Sequence, residues 1–189
     1  DFINVGNDDV LQLTTEMSIV ARIYRDTDSG TWERLIAKTN SSEYDYWMQI
    51  RLDDDSVGGG LYNSSGDQIL LDNTAGTAIP TGAWSDLAIT YNGTTLSGYL
   101  NGVLDKTVNG SGSIRVSNNS LYIGRLQDSE DFDGSIDYIL VFNRSLSVEQ
   151  IMAFHKNETH IVYQETVRGE NWTVDAIPHD EVNNGTKLR

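Results

Sequence analysis

Phe132-Asp133-Gly134-Ser135-Ile136-Asp137-Tyr138-Ile139-Leu140-Val141-Phe142-Asn143-Arg144-Ser145-Leu146-Ser147 passes from a strand into the start of a helix, and its reading sets the fold class. Ile136 to Phe142 is dense in β-branched and aromatic residues, which suit a pleated, partly buried strand. Asn143-Arg144-Ser145 breaks it. Ser147-Val148-Glu149-Gln150 is then a capping box, with Ser147 as N-cap and Gln150 at the third helical position. Leu146 before the cap and Ile151 at the fourth position make a hydrophobic staple, and the helix is expected to end near Phe154 or His155. This short helix is the exception in a chain that otherwise reads as strand and turn.

Upstream, period-two runs alternate with clusters of Gly, Asn, Asp and Ser. Met17 to Tyr24, Arg34 to Lys38 and Tyr46 to Leu52 read as strands, the last turned by Asp53-Asp54-Asp55. Gly58-Gly59-Gly60 precedes a short Leu61-Tyr62 run, and Asn63 to Asp67 makes another turn. Trp84 to Tyr91 meets Thr95 to Leu100 across Asn92-Gly93, the strongest hairpin signal in the chain. Asn101-Gly102 repeats it before Val103 to Val108, and Leu121 to Gly124 follows. Turns at this spacing predict an all-β, antiparallel two-sheet sandwich rather than a parallel α/β sheet.

The 189 residues suffice for one well-buried core. There is no cysteine, which removes disulfides, thiolate metal sites and cysteine nucleophiles together. Twenty-eight acidic side chains face 13 basic ones, for a formal charge of -15. A phosphate backbone repels such a surface, so nucleic acid is excluded as the expected partner. No apolar run approaches the ~20 residues of a membrane helix. Asp1-Phe2-Ile3-Asn4-Val5 already reads as strand, so the expectation is a mature protein or an excised piece.

Asn-x-Ser/Thr triplets begin at Asn40, Asn63, Asn92, Asn109, Asn118, Asn143, Asn157, Asn171 and Asn184. With 15 Asn and 33 Ser or Thr, chance gives 15 × 33/189, about 2.6, and the nine observed are a large excess. None carries Pro in the middle. A β-rich chain is wealthy in these residues anyway, but that composition is already inside the 2.6. The expectation is an N-glycosylated extracellular or cell-surface protein.

Asp1 to Asn7, Met17 to Arg25 and Trp84 to Asn92 resemble the laminin-G-like, concanavalin-A-like jelly rolls. The Phe132–Ser147 stretch is similar to that family's closing signature, a Phe-x-Gly-x-Ile-Asp strand leading to Asn-Arg-x-Leu-Ser and a short helix. The resemblance covers about residues 1 to 156. It implies a jelly-roll sandwich, with the first and last strands side by side and one short C-terminal helix, over residues 1–158. It also implies one structural Ca²⁺ at the sheet edge, as many members carry. Asp137 matches the signature Asp and is the first expected ligand; Asp26, Asp28 and Gly30 of the Asp26-Thr27-Asp28-Ser29-Gly30 loop would supply further oxygens. Asp128, Glu130, Asp131 and Asp133 form a second acidic candidate, and the bland reading of every such carboxylate is a solvated turn.

Residues 159–189 are expected to form an additional β tail. Its runs are His160 to Thr166 and Asn171 to Ile177, and two strands alone cannot bury a face. Gly169 to Pro178 loosely resembles late strands of immunoglobulin-like surface modules. His160, Ile161, Val162, Tyr163, Trp172, Val174 and Ile177 are the candidate assembly residues, pairing with the sandwich, a neighbouring domain or another copy by β-strand addition. Head-to-tail completion would build a fibre.

Glycosidases of the resembled fold place Glu-x-Asp-x-x-Glu on one strand. Glu43-Tyr44-Asp45 begins that way and lacks the second Glu, the three histidines share no metal spacing, and no nucleophile elbow or phosphate loop occurs. Catalysis is not expected. Trp32, Tyr44, Tyr46, Trp47, Tyr62, Tyr91 and Tyr99 are available to stack on sugar rings, against the competing reading that strand aromatics pack the core. Regular alternation puts Tyr44 and Tyr46 on one face and Trp47 on the other, which yields no three-ring platform. The expected role is therefore a non-catalytic structural or adhesive surface module, self-associating or joined to neighbouring domains, and most concretely a subunit of a cell-surface or filamentous assembly linked through its C-terminal strands. A calcium-stabilised, glycan-binding lectin-like module is the alternative.

Overall fold

The computed structural model describes residues 2–28, 30–40, 43–125 and 130–158. Among them are eleven strands: β1 Ile3–Gly6, β2 Met17–Arg25, β3 Glu33–Thr39, β4 Tyr44–Ile50, β5 Val57–Tyr62, β6 Gln68–Leu70, β7 Trp84–Tyr91, β8 Thr95–Leu100, β9 Val103–Asn109, β10 Ser120–Ile123 and β11 Gly134–Phe142. One helix, α1, spans Val148–His155. Every strand pairing is antiparallel, in a six-stranded sheet ordered β1-β10-β3-β4-β5-β6 and a five-stranded sheet ordered β11-β2-β7-β8-β9. The all-β jelly-roll expectation holds.

Alternate side chains of the two sheets meet in one core. Ile19, Ala21 and Ile23 of β2 and Leu87, Ile89 and Tyr91 of β7 pack with Tyr46, Met48 and Ile50 of β4 and Val57 and Leu61 of β5. The opposite face of the five-stranded sheet is covered by α1, where Val20, Ala88 and Tyr99 bury against Leu146 and Ile151. That is why Val20, on the outer face of β2, is as buried as the strand's inner residues. The cap forms as expected: Ser147 Oγ accepts from the Gln150 N–H and the Gln150 side chain accepts from the Ser147 N–H. Asn101 and Gly102, at φ 49° and 79°, make the two-residue connection of β8 to β9.

Two expectations need correction. The first and last strands are not paired: β1 bonds to β10 in one sheet and β11 to β2 in the other. They share an edge of the sandwich instead, flanking a groove of about 440 Å³ lined by Phe2, Ile3, Ile136 and Ile139. The glycine run 58–60 does not precede a strand; it is the body of β5. Here the small residue is a matter of space. A Cβ on Gly59 would lie 2.4 Å from the Trp47 carbonyl oxygen, and one on Gly60 would run into the Leu70 and Trp47 side chains. The neighbours of β5 lie so close over it that only glycine fits.

Candidate functional site

The site arises from one irregularity in β4. Thr39 faces Tyr44 across the β3–β4 ladder, but Lys38 faces Tyr46, so Asp45 has no opposite residue. This is a β-bulge, and it re-aims the side chain beside it. A buried pair holds it: Lys38 Nζ lies 3.1 Å from Asp45 Oδ2, and both side chains are 1 % exposed. Lys38 Nζ also donates to Asn7 Oδ1 and to the carbonyls of Ser117 and Asn119, while Ser117 Oγ donates to Asp45 at 2.7 Å. Tyr46 stays in the core, and Tyr44 turns onto the outer face with Trp47.

On that outer face of the six-stranded sheet, Trp47 lies 5.1 Å from Tyr44 and 6.2 Å from Tyr62, centroid to centroid, with ring planes tilted by 57° and 45°. The cross-strand partner of Trp47 is Gly60, whose missing side chain leaves room for the indole. Trp32, Leu70 and Gln68 extend the wall, and Arg34, Gln49, Asp72 and Glu130 supply polar groups around a groove of about 240 Å³. The groove at the β1/β11 edge is larger, yet its wall is mostly aliphatic and aromatic with one carboxylate, Asp137. Convergent polar groups over aromatic rings single out the smaller one.

The polar groups are closely tied. The Arg34 guanidinium sits 5.6 Å from the centre of the Tyr44 ring. Its Nε donates to Glu130 Oε2 at 3.1 Å, and its Nη2 donates to the same oxygen. Asp72 Oδ1 accepts from the Gly59 N–H at 2.9 Å. Burial raises the Asp72 carboxyl above the usual carboxylate range, and hydrogen bonds from Gly59 and Gln49 offset only part of this. Gln49 is 2 % exposed, and its Oε1 accepts no hydrogen bond from the described residues. An acceptor stranded in this way costs about 1–3 kcal/mol.

Of the expected stacking residues, Trp32, Tyr44, Trp47 and Tyr62 meet in the groove. Tyr46 and Tyr91 fill the core, and Tyr99 packs beneath α1. Nothing in the sequence marks Arg34, Gln49, Gln68, Asp72 and Glu130 as partners of these rings. Asp72 lies in a single helical turn, Leu71–Asn73, beyond a three-residue strand, and Glu130 is 96 positions from Arg34, so no local pattern exposes them.

The glycosidase-like pair is otherwise engaged. Glu43 pairs with Arg115, and Asp45 is the buried partner of Lys38. The acidic loops are likewise distributed. Arg25 Nη2 lies among Asp28 Oδ1, Glu33 Oε1 and Asp55 Oδ1, at 3.2, 2.6 and 2.8 Å. Asp28 Oδ1 also accepts from the Gly30 N–H, and the Asp26 N–H donates to the Asp133 carbonyl. Asp137 stands further along the ladder, 3.8 Å from Arg22, since Gly134 faces Arg25 whereas Tyr138 faces Arg22. Asp131 pairs with Arg125, Asp133 accepts from Thr27, and Asp128 lies outside the described residues. Among the described residues, no three His, Asp or Glu side chains are grouped as a metal ion requires.

Asn40, Asn92, Asn109, Asn118, Asn143 and Asn157 are exposed. Asn63 corrects the expectation. It is 6 % exposed, its Nδ2 donates to Asp67 and to the Ser111 carbonyl, and its Oδ1 accepts from the Ser65 and Asp67 N–H groups. Its amide is a turn fastener with no space for a glycan. Asn171, Asn184 and the assembly residues His160, Ile161, Val162, Tyr163, Trp172, Val174 and Ile177 lie outside the described residues. No described helix is long and apolar enough to cross a membrane.

A family model described as the concanavalin A-like lectin/glucanases superfamily matches residues 1–152. No curated protein sequence matches the chain. Among solved structures, the chain is similar to domain 4 of a GH43 extracellular arabinanase from Geobacillus stearothermophilus, in complex with arabinotriose. That match has TM-score 0.63 and 18 % identity, over 82 % of this chain and 72 % of the other. It is similar too to the CBM40 module of the Ruminococcus gnavus IT-sialidase bound to α2,3-sialyllactose, with TM-score 0.63 and 16 % identity over 80 % and 92 %. A heptameric SAP-like pentraxin from Limulus polyphemus matches at TM-score 0.56 and 15 % identity over 82 % and 81 %. At these identities the likeness is one of fold.

Proposed function

The chain belongs to the concanavalin A-like lectin/glucanases superfamily, and from that premise we propose that it is a non-catalytic carbohydrate-binding module of an extracellular or surface protein. The observation that carries the proposal is the meeting of Tyr44, Trp47 and Tyr62 on one sheet face, beside Arg34, Gln49, Asp72 and Glu130. Sugars present apolar C–H faces and polar hydroxyl edges, so they bind where rings stack beside hydrogen-bonding groups. Binding to glycans on a surface or matrix is also how such a module would act in adhesion. Six exposed sequons support an extracellular setting. Assembly through residues 159–189 is a further proposal with no support from the groove, and calcium is a question for chelation.

The non-catalytic reading rests on how the carboxylates are engaged. A glycosidase needs two carboxylates free to face its sugar, about 5–10 Å apart. Asp45 is buried against Lys38, and Glu43 is spent on Arg115. Of the two carboxylates in the groove, Glu130 accepts from two N–H groups of Arg34 and Asp72 accepts from the Gly59 N–H. The test is a glycan array probed with the wild type and with a Tyr44→Ala/Tyr62→Ala double variant. Sugar binding that the double variant loses supports the groove; equal binding by both proteins rejects it.

A further inference from the structure

We propose that the groove selects uncharged sugars and turns acidic ones away, because its one cation is already neutralised and two carboxylates line it. This rests on the groove being the sugar site. Arg34 is the only cation lining it among the described residues. Arg34 is 5 % exposed, donates twice to the Glu130 carboxylate and lies over Tyr44, so it offers an incoming carboxylate or sulfate no free charge. Asp72 is a second carboxylate at the groove wall. One guanidinium against two carboxylates leaves the lining acidic, on a chain whose formal charge is -15. A like charge brought into such a site is repelled over short range and loses its hydration as well.

Gln49 adds a directional demand. Its side chain lines the groove, is 2 % exposed, and its Oε1 has no donor among the described residues. A sugar hydroxyl or acetamido N–H meets that demand on neutral and acidic sugars alike, so the selection against charge rests on the acidic lining. The space sets the size of the ligand. About 240 Å³ is below the roughly 300–1,000 Å³ of pockets that enclose larger ligands. Rings tilted by 57° and 45° form a cleft around one sugar ring rather than a flat floor for a polymer surface. The ligand is therefore a single uncharged ring, a terminal hexose or N-acetylhexosamine, at the end of an oligosaccharide.

The experiment is saturation-transfer NMR with matched probes: methyl β-glucoside, methyl β-galactoside and methyl N-acetyl-β-glucosaminide against methyl β-glucuronide, and lactose against 3′-sialyllactose. At least one uncharged probe should bind, with the acidic member of its pair about tenfold weaker. Glu130→Gln, which frees Arg34, should narrow that gap. Raised ionic strength on the wild type should narrow it as well, a check that needs no substitution. An acidic probe that binds the wild type as well as its uncharged partner overturns the selectivity while leaving the sugar site standing. If no probe binds, or if binding persists unchanged in Tyr44→Ala/Tyr62→Ala, the site itself is rejected and the selectivity with it.

Discussion

Tyr44 and Trp47 lie three positions apart on one strand, yet their rings pack on the same face with centroids 5.1 Å apart. A regular strand sends such residues to opposite faces. The extra residue between them, Asp45, makes up the difference, and its carboxylate is held by the ammonium of Lys38. The groove thus depends on a buried ion pair.

Replacing Asp45 by Ala should therefore lower stability and weaken sugar binding together. Removing one partner of a buried pair costs about 3–5 kcal/mol. The lower end is expected, because Lys38 keeps Asn7 Oδ1 and two carbonyls as acceptors. Urea unfolding gives the first quantity and glycan titration the second; a variant with normal binding would show that the bulge does not set the rings.

Asp72 gives a pH signature. Its carboxyl has a folded pKa raised above the ordinary 3.8, chiefly by burial. Below the unfolded value both states hold the proton and there is no penalty. As pH rises through the window from 3.8 to the folded value, the unfolded state ionises more easily, and stability is lost. Asp72→Asn removes this titration while keeping an acceptor for the Gly59 N–H. The variant should gain stability relative to the wild type as pH rises from about 4 to 7. Urea midpoints with a constant difference across that range would contradict it.

The sequons divide by environment. Peptide mapping of protein from a glycosylating secretory host should find glycan among the exposed sites Asn40, Asn92, Asn109, Asn118, Asn143 and Asn157, and none at Asn63. Asn63→Gln should leave the glycan mass unchanged and lower the melting temperature, since two donors and two acceptor contacts of the amide are displaced. A glycopeptide containing modified Asn63 would overturn this placement.

Calcium is decided by chelation. The Arg25 guanidinium already stands among Asp28, Glu33 and Asp55, where it supplies the positive charge that an ion would bring. The sandwich should melt at the same temperature with and without chelator. A midpoint that falls on chelation would establish a bound ion, since a ligand of the folded state stabilises it by mass action.

Local signals carried most of the fold. Asn101-Gly102 can hold positive φ at both positions, and that makes the turn. Ser147 and Gln150 form the cap because each reaches the other's N–H within one helical turn. What escaped was non-local. Nothing beside Asp45 in the chain announces Lys38 as its partner, so period two misplaced Tyr44. The glycines of β5 read as a break until Trp47 and Leu70 are seen over them. That β1 and β11 belong to different sheets depends on β10 and β2, far away in sequence. Asp72 and Glu130 join the groove only through tertiary packing.

The groove is tested most directly by titrating isotope-labelled protein with the best-binding sugar from the array and following its NMR spectrum. With sugar in the groove, the Trp47 indole N–H, the ring signals of Tyr44 and Tyr62 and the side-chain amide of Gln49 should shift together with one saturation curve. Shifts confined to other residues, such as Phe2, Ile136 and Ile139 at the β1/β11 edge, would place the sugar elsewhere and contradict it.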